Sequence, residues 1–249
     1  MAINIFKKED QADGNFNSGE ILEKKPIGFP QDNGILKPYS NIFYWAHAWT
    51  PKNKSTIGLH PHQGFEICSF VLKGNINHFD TKQNKWIPLS EGDVQIIRSG
   101  NGISHAEEID KESEIFQIWF DPDLSNSLKK EATYDDYSSK EFKVLNSDNK
   151  LKKIIKGDGS PMEMDSEGIF INEYLFKSGN HLLEINEDFI HSYFILNGEL
   201  EYEKNILQKG TFFTVKKQNN FEFQSLNKAR VFEIISPLHP KYKTYFMSN

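Results

Sequence analysis

The chain has 249 residues, 37% of them apolar and 26% charged, with a formal net charge of -6. That length accommodates two ordinary domains with real cores, and no stretch concentrates Lys and Arg among aromatics as a nucleic-acid groove requires, so direct nucleic-acid binding is not expected. The lone Cys68 cannot form an internal disulfide and suits a reducing compartment, and neither a signal-type start nor a run of about 18 uncharged apolar residues occurs; the expectation is a cytoplasmic protein that does not span a membrane.

Aromatic mass, 20 Phe and 9 Tyr, leans the chain towards sheet. In chain order, the runs FEICSFVL (65–72), DVQIIR (93–98), IFQIWF (115–120), HSYFIL (191–196), TFFTVK (211–216), FEFQSL (221–226) and RVFEII (230–235) read as short strands between turn signals. Strands at this density predict a barrel or sandwich. The best helical periodicity, over 124–137, is too polar for more than a connecting helix or loop.

The halves read as two copies of one plan. Turns at Gly74 and Gly92 in the first half are matched by turns at Gly198 and Gly210 in the second, where the closer spacing predicts a shorter hairpin. The expected division is an N-terminal barrel over 1–125, a polar connection over 126–153 and a C-terminal barrel over 154–249. In the C-terminal half, Phe194, Phe212, Phe213, Phe221 and Phe223 are available to fill an interior without a ligand.

The chemistry sits in two pairs, His60-Pro61-His62 and His105-Ala106-Glu107. Positions i and i+2 of a strand share a face, so each pair sends both side chains into one interior. If the two strands are neighbours, three imidazoles and a carboxylate converge, a mixed N/O set suited to Fe, Mn, Ni, Cu or Zn. The same parity puts Glu66 on the face of His62 and leaves it as an alternative carboxylate. His78 reads as a hydrogen-bonding residue of a hairpin and His47 as a satisfied strand histidine, with a substrate contact as the alternative for His47.

The stretch 58–108 resembles the signature of the pirin family, including its bacterial quercetin 2,3-dioxygenase-like members. The shared series is His-Pro-His, Gly-Phe-Glu, a Val-Leu-x-Gly turn, His-x-Asp, Gly-Asp-Val-Gln and Gly-x-Gly-Ile-x-His-x-Glu, and FQIWFDPD (116–123) is similar to the segment closing the first barrel of those proteins. The resemblance implies an all-β bicupin of two jelly-roll-type β-barrels. It also implies Fe(II) as the usual metal, held in the N-terminal barrel by residues matching His60, His62, His105 and Glu107. Gln63 and Ala106 stand where pirins usually carry Arg and Ser, and both adjoin the ligand positions.

By the same resemblance the chain is expected to be an iron-dependent dioxygenase acting on a small aromatic substrate, a flavonol such as quercetin, with Glu107 as metal ligand and base for the flavonol proton. The alternative is a non-enzymatic, redox-sensitive iron protein that binds a protein partner. Nothing in the sequence decides the oligomeric state.

Overall fold

Burial along the strands separates two kinds of sheet. Glu66–Lys73 and Phe189–Asn197 are buried at nearly every position, whereas Asn75–Asp80 and Asn220–Ser225 alternate strictly. A strand covered on both faces loses its two-residue hydrophobic period, and one with a solvated face keeps it. The computed structural model describes residues 2–248, and it assembles these strands into two seven-stranded and two four-stranded antiparallel sheets.

The chain divides into two units. The first barrel comprises Gln11–Lys140, Met164–Ser166 and the segment from Tyr242 on; the second comprises the N-terminal residues through Asp10, Glu141–Glu163 and Glu167–Lys241. In the first, the seven-stranded sheet runs Thr133–Tyr137, Val94–Arg98, Glu66–Lys73, Glu114–Phe120, Ile42–Trp49, Ile21–Ile27, Ala12–Phe16. The second follows the same order with Ala2–Phe6, Phe212–Lys216, Phe189–Asn197, Ala229–Pro237, Phe170–Phe176, Lys150–Lys156, Lys143–Asn146. The four-stranded sheets correspond in the same way, and the second ends in a hairpin of two three-residue strands, Leu200–Tyr202 and Asn205–Leu207. The four turn glycines 74, 92, 198 and 210 all sit at φ between 76° and 87°, a conformation that a Cβ disfavours.

The outermost strands carry what a reading by halves does not contain. Ala2–Phe6 pairs with Phe212–Lys216 and so belongs to the second barrel, although it opens the chain. The segment 126–153, read as a connection, supplies Thr133–Tyr137 to the first barrel and Lys143–Asn146 to the second. An α-helical turn, Leu124–Ser127, leads into it, capped by the Asp123 carboxylate on the Ser125 N–H, and a 3-10 turn, Ser139–Glu141, lies between its two strands. Both strands lie at sheet edges, where little apolar surface is needed, which is why their polar sequences pass for linker.

The interior of the first barrel is layered. Reading inward-facing positions along three strands gives Val71, Ser69, Ile67; then Ile115, Gln117, Trp119; then Ile109, Glu107, His105, Ile103. Each crosses from an apolar floor through a polar layer towards a second apolar girdle. In the second barrel the interior is a single aromatic cluster including Tyr174, Phe176, Tyr193, Phe213, Phe221 and Phe223. Phe194 and Phe212 are buried as well, but alternation puts them on the opposite face of the sheet from Tyr193 and Phe213. Among the described residues, no helix is long and apolar enough to cross a membrane.

Candidate functional site

Ser55–His62 and Ile103–Ile109 are neighbouring antiparallel strands with His60 directly opposite His105. The register shifts between His105 and Glu107, because Gly58 and Leu59 form a bulge in the first strand. The extra residue turns Leu59 out to solvent, 57% exposed, and lets Ile57, His60 and His62 all face inward. His60, His62 and His105 thus face one interior.

Three imidazoles meet at the top of the barrel. Their ring centroids are 4.8 Å (His60–His62), 4.5 Å (His60–His105) and 4.8 Å (His62–His105) apart, and one ring nitrogen from each lies within 4.8 Å of the others. His60 Nδ1–H donates to the Gly58 carbonyl at 2.8 Å, a bond made available by the bulge, which leaves Nε2 with its lone pair. His62 Nε2 and both nitrogens of His105 are buried without a hydrogen-bond partner. Orphaned buried nitrogens are costly unless something occupies them, and three converging imidazoles are a donor set for a borderline transition metal. Burial, reinforced by repulsion from His105 and His60, pushes the His62 pKa down to about 3; burial, then His60 and His78, hold His105 well below the ordinary histidine range. Both rings are therefore neutral near pH 7 and have no proton to displace when a metal binds.

Glu107 is fully buried on the same strand face as His105 but stands outside the group of nitrogens. Ser69 Oγ donates to its Oε1 at 2.7 Å, and Gln117 Nε2 donates to its Oε2. Glu66, the alternative carboxylate, is engaged elsewhere. It accepts from the backbone N–H of Asp165 (2.6 Å) and Ser166 (2.8 Å) and from Ser166 Oγ, with Arg98 at 3.7 Å. The parity that aligned it with His62 fails because Gly64, at φ +87°, breaks the strand and passes the chain into the other sheet.

Three further residues shape the site. His78, expected as a hairpin hydrogen-bonding residue, is fully buried, donates from Nε2 to Asp80 at 2.8 Å, and lies 5.7 Å ring to ring from His105. Tyr134 stacks on its other side at 4.8 Å. Trp119 meets His62 edge to face at 4.8 Å and closes an aromatic wall with Phe29, Phe43 and Tyr44. The His-x-Asp spacing was the signal for His78. Nothing in the sequence singles out Tyr134, which arrives from the supposed linker. His47 lies on the face opposite Tyr44, beside Glu114 at 3.3 Å, and does not enter the site.

The rim is an open cleft of about 580 Å³ lined by Pro61, His62, Gln63, Thr81, Asn101 and Ser104. Gln63 Nε2 donates to the Asn101 carbonyl at 3.1 Å and ties the two loops of that rim together. Ala106 points away from the interior, so its departure from the pirin pattern leaves the imidazole cluster untouched.

Residues 36–120, which contain the three histidines, Glu107, Glu66, His78 and Trp119, match the Pirin family. The chain carries a pirin domain. A pirin-like protein of Caulobacter vibrioides is 45% identical over 122 residues, 41% of this chain and 52% of that protein. The quercetin 2,3-dioxygenase of Escherichia coli K12 is 38% identical over 69 residues, 26% of this chain and 29% of that protein. The matched segments thus span about half or less of the relatives' own length. Among solved structures, the bacterial pirin YhhW of Escherichia coli, in complex with nickel(II), superposes with a TM-score of 0.78 at 17% identity, covering 95% of this chain and 99% of that one. At that identity the likeness shows the shared bicupin fold alone.

Proposed function

We propose that this protein is a metal-dependent dioxygenase of the quercetin 2,3-dioxygenase kind, with one divalent transition metal held by His60, His62, His105 and Glu107, iron(II) being the expected ion. The observation that carries the reading is the convergence of three imidazoles, those of His62 and His105 with buried unpartnered nitrogens, beside a cleft of about 580 Å³ that His62 lines. A cleft of that size is in the range of small-molecule sites. The names of the pirin-like and quercetin 2,3-dioxygenase relatives support the substrate class, a flavonol.

When bound, a transition metal with open positions supplies activation of O₂ and of the chelating oxygens of such a substrate. The protein's own part is separable. Trp119 offers a flat wall against which an aromatic ring packs, next to His62. Glu107, buried and anchored by neutral donors, is the base that accepts the flavonol hydroxyl proton. The aromatic wall and the apolar girdle of Ile67, Ile97 and Ile103 keep bulk water from the inner side.

Elemental analysis of protein purified without added metal, combined with oxygen uptake on quercetin, tests the reading. Near-stoichiometric metal that is lost in His105→Ala, together with metal-dependent uptake, supports it. Metal without uptake moves the protein to the redox-sensitive, partner-binding alternative, and no metal after reconstitution overturns the site.

A further inference from the structure

A sheet edge is a row of unpaired backbone N–H and C=O groups, and proteins blunt such rows with short strands, prolines or charges. Three edges here follow that rule: Asn205–Leu207 is three residues long, Trp86–Ser90 contains Pro88, and Thr133–Tyr137 contains Asp135 and Asp136. Lys143–Asn146, which ends the large sheet of the second barrel beside Lys150–Lys156, does not. Among the described residues it is the one edge strand exposed at every position, and its centre is apolar, with Val144 50% and Leu145 46% exposed. The hairpin is also basic. From 143 to 156 it holds five lysines and one acidic residue, Asp148, in a chain whose net charge is -6. Lys152 lies over the Tyr174 ring at 5.6 Å and Lys153 over Phe142 at 5.0 Å. Lys143, Lys150 and Lys156 enter no ion pair among the described residues.

We propose that this edge is a docking site for an extended acidic segment of a partner protein, which adds a strand beside Lys143–Asn146. Val144 and Leu145 alternate onto opposite faces of their strand, so no flat surface covers both, whereas an added strand neighbours both. An added strand also pairs the backbone groups of the free edge, which a lipid surface cannot do. A second copy of this chain would bring two lysine-rich hairpins together, like charges that repel, while the carboxylates of an acidic segment attract them. The register follows from the strand itself: a carboxylate stands opposite Lys143, and apolar β-formers stand opposite Val144 and Leu145. The site lies wholly in the second barrel and stands or falls apart from the metal centre.

The test is fluorescence anisotropy with the full-length chain and a fluorescein-labelled peptide, Ser-Glu-Thr-Val-Ile-Glu-Asp-Glu-Ser, beside a counterpart in which every Glu and Asp is Lys. The acidic peptide is expected to bind saturably, with affinity falling as salt rises, and the basic one not to bind. Lys143→Glu, on an exposed side chain, is expected to weaken binding about tenfold, the size of one cross-strand ion pair lost and one repulsion gained. Hydrogen exchange on the wild type gives a second readout that needs no variant. Successive N–H groups of a strand point to opposite sides, so either Val144 or Leu145 has its N–H on the free edge, and that amide gains protection when the acidic peptide is added. Absence of saturable binding, equal binding of the two peptides, an affinity unchanged in Lys143→Glu, or protection confined to other strands overturns the proposal. So does sedimentation of the free chain as a dimer with that amide already protected, which assigns the edge to a second copy, or capture by phosphatidylserine vesicles without binding of the peptide.

Discussion

The two barrels share one strand order and put opposite contents into it. In the first, the strands that lead to the top of the barrel pair His105 with His60; in the second, the corresponding strands pair Phe221 with Leu183 and Phe223 with His181. Both interiors contain a buried carboxylate. Glu233 of the second barrel is closed on itself: His191 Nδ1–H donates to it at 2.9 Å, Asn172 at 2.7 Å and Tyr174 at 3.0 Å, while the Asn186 N–H donates to His191 Nε2 at 3.3 Å. Every polar atom of that His-Glu pair has a partner within the protein. The first barrel leaves three imidazole nitrogens of His62 and His105 orphaned. His181 Nδ1 of the second barrel is orphaned as well, but singly; since buried polar groups are nearly always satisfied, the cluster of three orphaned nitrogens in the first barrel supports the ligand site proposed there.

The largest effect that would break this comparison lies in the second barrel. Phe213, fully buried among Tyr193 and Phe221, should cost about 3–5 kcal/mol when truncated to Ala, measured by denaturant unfolding; a cost under about 1 kcal/mol would show an interior loose enough to take a ligand. Next comes metal. All four tryptophans, Trp45, Trp49, Trp86 and Trp119, belong to the first barrel, so their fluorescence reports its unfolding. Nickel(II) at 100 times its Kd should stabilise that transition by about 2.7 kcal/mol, with no such gain in His105→Ala. A gain retained in that variant would place the ion elsewhere.

Glu66→Gln is expected to cost about 1–3 kcal/mol, because it weakens the anchoring of Asp165 and Ser166, while metal content stays at the wild-type level. Loss of metal there would reinstate Glu66 as a ligand. The smallest effect is the pH response of the metal-free protein. His62 titrates near 3 when folded against an ordinary 6.5, so the folded state binds fewer protons across that window, and the first barrel loses stability as pH falls from about 6.5 towards 3. The drop is modest because His62 is only half-buried. Burial alone would raise the Glu233 pKa, but the bonds from His191, Tyr193 and Asn172 outweigh it and hold Glu233 below the usual 4.5. Its contribution is therefore present above about pH 4.5 and lost as pH falls through the lower folded value. Tryptophan fluorescence that stays flat from pH 6.5 to 4.5 while far-ultraviolet dichroism declines would invert this order.

Much of the first barrel's chemistry was legible in the chain. His60, His62, His105 and Glu107 share a face because i and i+2 do so in any strand, and the glycine turns announced the duplication. Glu66 shows where that reasoning stops, since parity counts only while the strand continues and Gly64 ends it. Phe194 and Phe212 show the same limit on the other side: a residue buried on either face of a central strand looks identical in sequence.

By itself, then, the sequence determined the sheet-rich class, the repeat and the residue types that meet at the site, because these depend on spacing within single strands and turns. Only the tertiary structure decided which strands complete which barrel, that His78 and Tyr134 stand behind His105, that Glu107 rests on Ser69 and Gln117, and that His191 finds Glu233 across 42 residues. Those pairings join strands far apart in the chain, and register between distant strands is set by cooperative packing and by bulges such as that at Gly58–Leu59, which no local pattern encodes.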